Sequence, residues 1–169
     1  RKNVPMVYYH VWDNYPYPEF NKKFYDSNDA IVSISRLTSD IVRNVSPTVK
    51  EEYLPHSVNT DIFRKFPDEQ AADFKRMMFQ NTESFSQDDT IFFWNNRNAR
   101  RKMTGSVIWW FSEFLKRKKG GNARLVLHTD PKDPHGQDLV AIMHRLGLTN
   151  GELMLSNKKM PPENLALLI

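Results

Sequence analysis

Cysteine is absent from the 169 residues. That absence excludes disulfides, thiolate nucleophiles, zinc fingers and iron–sulfur clusters. No apolar run approaches the roughly 20 residues that a membrane span requires, and no charged-then-apolar signal segment opens the chain. A reducing, cytoplasmic compartment is therefore the expectation. Neither G-x-x-x-x-G-K-S/T nor G-x-G-x-x-G occurs, so a Walker loop and a dinucleotide fingerprint are both missing. Histidines 56, 128, 135 and 144 lack metal-ligand spacing, and no metal site is expected. No internal repeat or low-complexity tract is visible. Arg1 stands where an initiator Met would, and a strand-like segment begins almost at once. The chain is expected to be a piece of a longer protein.

What is present is globular composition: 40% apolar, 12% aromatic and 26% charged. The length suits one ordinary domain or two small ones. The net charge of +4 is unevenly placed. Residues 1–89 hold 11 basic and 14 acidic groups, net −3, whereas residues 90–169 hold 13 basic and 6 acidic groups, net +7. The second half is thereby fitted to an anionic partner: nucleic acid, a membrane surface or a phosphorylated small molecule.

The second half reads as strand–helix alternation. Thr90-Ile-Phe-Phe-Trp94 is an apolar, β-forming run expected to be a strand covered on both faces. A basic loop follows, Asn95-Asn-Arg-Asn-Ala-Arg-Arg-Lys102. Val107, Trp110, Phe111, Phe114 and Leu115 then recur at helical spacing, widened by Ile108, with Trp109 on the far side. Thr104 or Ser106 is expected to cap this helix, the cations of residues 116–119 to suit its carboxyl end, and Gly120-Gly121 to stop it. Leu125-Val-Leu-His128 reads as a second strand. Leu139, Ile142, Met143 and Leu146 mark a helix closed by Gly147. Leu153-Met-Leu155 is a third strand, and Pro161-Pro-Glu-Asn-Leu opens a helix with proline in its first turn. Such βαβαβα order implies a parallel sheet.

The first half follows a similar plan. A strand runs from Val4 to His10 and enters a Pro/Tyr-rich loop. A short helix near residues 20–25, a strand over 30–34, a helix over 38–45 and a strand over 52–54 follow. The expected organisation is α/β, with Rossmann-like parallel sheets and flanking helices: one unit over residues 1–54, a connector with a helix over 55–89, and a second unit over 90–169.

A loop after a parallel strand lies at the carboxyl edge of the sheet, where α/β folds bind ligands. Here it carries Arg97, Arg100, Arg101 and Lys102. A guanidinium fork and a compact ammonium suit a diphosphate; a solvated basic turn is the alternative.

At Phe92-Phe-Trp-Asn-Asn-Arg97-Asn-Ala-Arg-Arg-Lys102, followed by an aromatic amphipathic helix, the sequence resembles the retaining glycosyltransferases of family 4. Asp29-Ala-Ile-Val-Ser-Ile-Ser-Arg36, Leu54-Pro-His-Ser-Val-Asn-Thr-Asp-Ile-Phe63, Leu125-Val-Leu-His-Thr-Asp130 and the segment from Met154 to Glu163 resemble other segments of that family, in the same order. The resemblance implies parts of two GT-B domains, with a nucleotide-sugar donor held mainly by the second. By position, Arg97 and Lys102 would neutralise the donor diphosphate, without a metal or other cofactor. Asn96, His128 and Thr129 would border the nucleotide, although a solvated loop accounts equally for His128 and Thr129. His10 would stand near the acceptor and the reacting sugar carbon; a hydrogen-bonded histidine at a strand end is the alternative.

The sequence departs from the family pattern at Ser57, where the family has glycine, and it lacks both the glycine-rich first strand and the Glu-x7-Glu donor segment. The chain alone is therefore expected to be an incomplete transferase. Its acceptor, whether glycan, lipid or protein, is not indicated. Two other classes compete. A nucleic-acid-binding module is disfavoured because the aromatics fall on helix faces and in apolar strands, and no nucleic acid partner is expected. Peripheral contact with a membrane surface through Trp109 and the neighbouring basic helix end is compatible with transferase function.

Overall fold

The computed structural model describes residues 4–118 and 122–168. The chain divides into two units, Arg1–Asn59 and Thr60–Ile169.

In the first unit, β1 (Val7–His10), β2 (Ala30–Ser33) and β3 (Glu51–Tyr53) form a parallel sheet in that order. The helices α1 (Lys22–Asp26) and α2 (Arg36–Val45) connect them. Ser35 caps α2 by accepting a bond from the Thr38 N–H, satisfying one of the orphan donors of the first turn. The apolar face of α2 then buries Ile41, Val42 and Val45 with Ile31 and Tyr25.

In the second unit, α3 (Asp68–Met78) precedes a parallel sheet of β4 (Thr90–Asn95), β5 (Ala123–His128) and β6 (Leu153–Ser156), with β5 in the centre. The crossovers carry α4 (Thr104–Arg117) and α5 (Leu139–Arg145); α6 (Pro162–Ala166) follows with proline at its start, where no N–H is needed. Gly147, at φ +71°, follows α5 in the left-handed conformation that glycine adopts without steric cost. The core joins Leu125, Leu127 and Leu153 of the sheet to Ile108, Phe111 and Leu139 of the helices.

Arg124 is buried at the amino end of β5 and pairs with buried Asp89 at 2.6 Å. It also donates to the Gly151 carbonyl at 2.8 Å and to Ser84, so its charge is both paired and hydrogen-bonded. Asp89 has its pKa pushed up by burial, but bonds from Arg124 and the Ser86 N–H bring it below the ordinary value on balance.

Both units are α/β, Rossmann-like arrangements of a three-stranded parallel sheet with flanking helices. Among the described residues, no helix is long and apolar enough to cross a membrane.

Three local expectations are corrected. Strand β4 is not covered on both faces: its burial alternates, and Phe92 is exposed while touching Phe111 and Phe114 edge-on. No side chain of Thr104 or Ser106 caps α4; left-handed Met103 (φ 53°) turns the chain into it, and Gln137 Oε1 accepts the Gly105 N–H at 2.9 Å. Third, α4 buries Thr104, Gly105, Ile108, Phe111 and Ser112, leaving Trp110 60% exposed and Phe114 exposed. At ~100° per residue the buried stripe is rotated by about 80° from the expected one. Small residues form part of the contact face, and they are invisible to a reading that follows large apolar side chains. Trp109 is exposed as expected. Lys119 and Gly120-Gly121, expected at the end of this helix, lie outside the described residues.

Ile108→Ala should cost about 2–5 kcal/mol as a core cavity, and Trp110→Ala no more than about 1 kcal/mol. Denaturant unfolding measures both. A larger loss for Trp110→Ala would restore the register read from hydrophobic spacing.

Candidate functional site

The parallel register aligns Asn95, His128 and Ser156 in one row across the carboxyl ends of β4, β5 and β6. Beyond that row is an open depression of about 270 Å³, lined among others by Asn96, Arg97, His128, Thr129, Asp130 and Lys159. It lies where successive strand-to-loop turns of an α/β sheet converge. Asn96, Arg97, His128 and Thr129, all singled out from the sequence, are thus brought together. Lys102 is not part of this lining; it ends a 3-10 turn, Arg100–Lys102, and is half-buried.

His128 is fastened through Nδ1 to Ser156 Oγ at 3.0 Å. Thr129 continues the ladder by donating its N–H to the Ser156 carbonyl, and its buried hydroxyl has no protein partner among the described residues. The loop after β4 is laced to the loop after β5. Asn98, 1% exposed, donates through Nδ2 to the Gln137 carbonyl at 2.7 Å, and its Oδ1 accepts the Gln137 N–H at 3.3 Å. Gly136 permits this approach, since a Cβ there would collide with the Asn98 carbonyl oxygen.

Arg97 extends from this laced segment. Its Nε donates to Asp133 Oδ2 at 2.7 Å, and its Nη2 lies 3.4 Å from Asp133 Oδ1 and 3.1 Å from His135 Nδ1. The Arg97 side chain is 65% exposed, whereas Asp133 is 10% exposed. The hydrogen bond from Arg97, followed by one from the His135 backbone N–H, holds the Asp133 carboxyl down at about 2. The same carboxylate raises the pKa of Arg97. Asp133, His135 and Lys159 were missed by sequence reasoning. The only local signal was a Pro/Asp/Gly-rich turn following a strand, which does not reveal a partner.

In the first unit, His10 closes β1 and is 4% exposed. Its Nε2 shares a 2.7 Å hydrogen bond with the buried Tyr25 hydroxyl, while Nδ1 is buried without a partner among the described residues. Burial pushes its pKa down, favouring the neutral ring. Among the described residues, no group of three or more His, Asp or Glu side chains is placed to hold a metal ion.

No family profile and no curated protein matches the chain. A solved structure, the N-terminal domain of trehalose-6-phosphate phosphatase from Candida albicans, is similar in fold, with a TM-score of 0.58 and 15% sequence identity. The similarity covers 83% of this chain and 36% of that one, so the chain spans little more than a third of the length of the structure it matches. At this identity the likeness shows the fold.

The ion pair makes a measurable prediction. A carboxylate NMR titration should place Asp133 at about 2, and Arg97→Ala should move it up towards the ordinary value of about 3.9. Because the folded value is depressed, any stabilisation from this pair is complete above the unfolded pKa and is lost as pH falls through about 2. An unmoved titration in Arg97→Ala would mean that Arg97 does not hold the carboxylate.

Proposed function

We propose that this chain is part of a retaining glycosyltransferase of GT-B type that binds the diphosphate of a nucleotide-sugar donor at the carboxyl edge of the β4–β6 sheet. The observation that carries the reading is the position of Arg97: it lies in the first loop of a βαβ unit, on a polar depression shared with Asn96, His128 and Thr129. The resemblance in sequence, five motifs in family order, supplies the reaction class. The name of the Candida albicans neighbour, a domain of a trehalose-6-phosphate phosphatase, accords with sugar chemistry without specifying the transfer.

In this reading Arg97 holds the diphosphate as the bond to the sugar breaks, joined by Lys102 of the same loop, although Lys102 lies outside the lining of the depression. Negative charge then accumulates on the departing phosphate. Cations stabilise it more in the transition state than in the ground state, which is the condition for catalysis as distinct from binding. His10 is assigned to the vicinity of the reacting sugar carbon. Its place at the end of a parallel strand and its Nδ1, without a partner among the described residues, support that assignment, while its burial against Tyr25 also suits a framework role. Neutral at physiological pH, the ring offers Nδ1 as a hydrogen-bond acceptor in the tautomer whose Nε2–H donates to Tyr25, and it brings no positive charge of its own to the donor.

Calorimetry of the full chain with uridine, guanosine and adenosine diphosphates tests the diphosphate site. Arg97→Ala and Lys102→Ala should each cost about 1.5–3 kcal/mol of binding for the nucleotide that the wild type takes. Unchanged affinity in Arg97→Ala would sink the diphosphate site, and unchanged affinity in Lys102→Ala would remove Lys102 from it.

His10→Ala, assayed in the complete transferase, should lower kcat strongly and leave donor affinity and melting temperature nearly unchanged. A large fall in melting temperature with normal turnover per folded molecule would assign His10 to the framework instead.

A further inference from the structure

Arginine has five N–H donors in a fixed planar fork. In Arg97 the Nε edge is already engaged by Asp133, and Nη2 is shared between Asp133 and His135. Nη1 has no protein partner among the described residues, and the side chain is largely exposed. The guanidinium is therefore held along one edge and open along the other. The holder is itself fixed. Asp133 Oδ1 accepts the His135 N–H at 2.9 Å, the Asp133 carbonyl accepts the Gly136 N–H at 2.9 Å, and Gln137 is locked to buried Asn98, the residue next to Arg97.

We infer that Asp133, assisted by His135, is a positioning residue that immobilises Arg97 and presents its Nη1 edge to the donor phosphate. The inference rests on the diphosphate reading above and adds to it a residue that does not touch the nucleotide. A long, exposed side chain normally loses rotamer freedom when it binds an anion; Arg97 has surrendered much of that freedom in advance, to Asp133.

The sign of the effect separates positioning from simple electrostatics. Asp133 is negative, so if it acted only through its charge its removal would tighten binding of a diphosphate. If it positions Arg97, removal weakens binding despite the gain in positive charge. Asp133→Asn keeps an oxygen for the His135 N–H and so preserves the turn, while Asp133→Ala removes the support completely.

The experiment is calorimetric titration of the full chain with adenosine, guanosine and uridine diphosphates, using wild type, Arg97→Ala, both Asp133 variants and the Arg97→Ala/Asp133→Ala double variant. The nucleotide that binds wild type should bind both Asp133 variants about two- to tenfold more weakly. Asp133→Ala should have no further effect once Arg97 is gone. In parallel, the Arg97 Nε–H resonance should be sharp and slow to exchange in wild type, and should lose that protection in both Asp133 variants, a change that general loosening of the fold would not confine to one side chain. Equal or tighter binding by Asp133→Asn, with weakened binding by Arg97→Ala, overturns the positioning role and leaves the diphosphate site standing. Unchanged binding by Arg97→Ala, or no nucleotide binding by wild type, overturns both. A rapidly exchanging Arg97 Nε–H in wild type overturns the positioning role whatever the affinities.

Discussion

The paired hydrogen bonds between the Asn98 side chain and the Gln137 backbone are the constraint on which the candidate site depends. Asn98 is almost wholly removed from water, and an unsatisfied buried amide would cost about 1–3 kcal/mol. Both ends of that amide are satisfied by one residue of a different loop. The Gln137 side chain then reaches the Gly105 N–H at the start of α4. The loops after β4 and β5 and the first turn of α4 are thereby tied into one block. Arg97 stands immediately before Asn98 and inherits its position from that block.

At the opposite end of β5, the buried Arg124–Asp89 pair ties the segment before β4 to the central strand. Breaking such a pair by removing one partner leaves a buried charge uncompensated, whereas the intact pair adds modest net stability. Its consequence is registration: Asp89 directly precedes β4, whose first residue is aligned with Ala123, beside Arg124. Five residues further along the ladder, the same register places Asn95 beside His128 at the edge that carries the candidate site. The site is thus aligned from both ends of the sheet.

Electrostatically, the cleft is less positive than the basic loop suggests. The excess of cations in the second half reads as an anion-binding field, yet Arg97 is matched by Asp133. Arg100 and Arg101 are exposed, and Lys102 is outside the cleft lining. Beside Asp130 and Lys159 in the lining, an oriented guanidinium with an open edge discriminates geometrically between anions, which a point charge does not.

The order of elements was legible from the sequence because its determinants are local. The run Leu125-Val-Leu specifies a buried strand, the spacing of Leu139, Ile142 and Leu146 specifies a helix, and Pro162 and Gly147 mark a start and a stop. The place of Arg97 followed from the same local signals, since the loop after a parallel strand must emerge at the carboxyl edge of its sheet. What tertiary structure alone decided was partnership and facing. Arg97 meets Asp133 across 36 positions and Asn98 meets Gln137 across 39, and nothing in either segment names the other. The face of α4 likewise turned on Thr104, Gly105 and Ser112, whose small side chains lie buried in the packed face while Trp110 remains outside. Hydrophobic periodicity reports which residues tolerate burial; which of them are buried, and against what, depends on the shape of the surface that packs there.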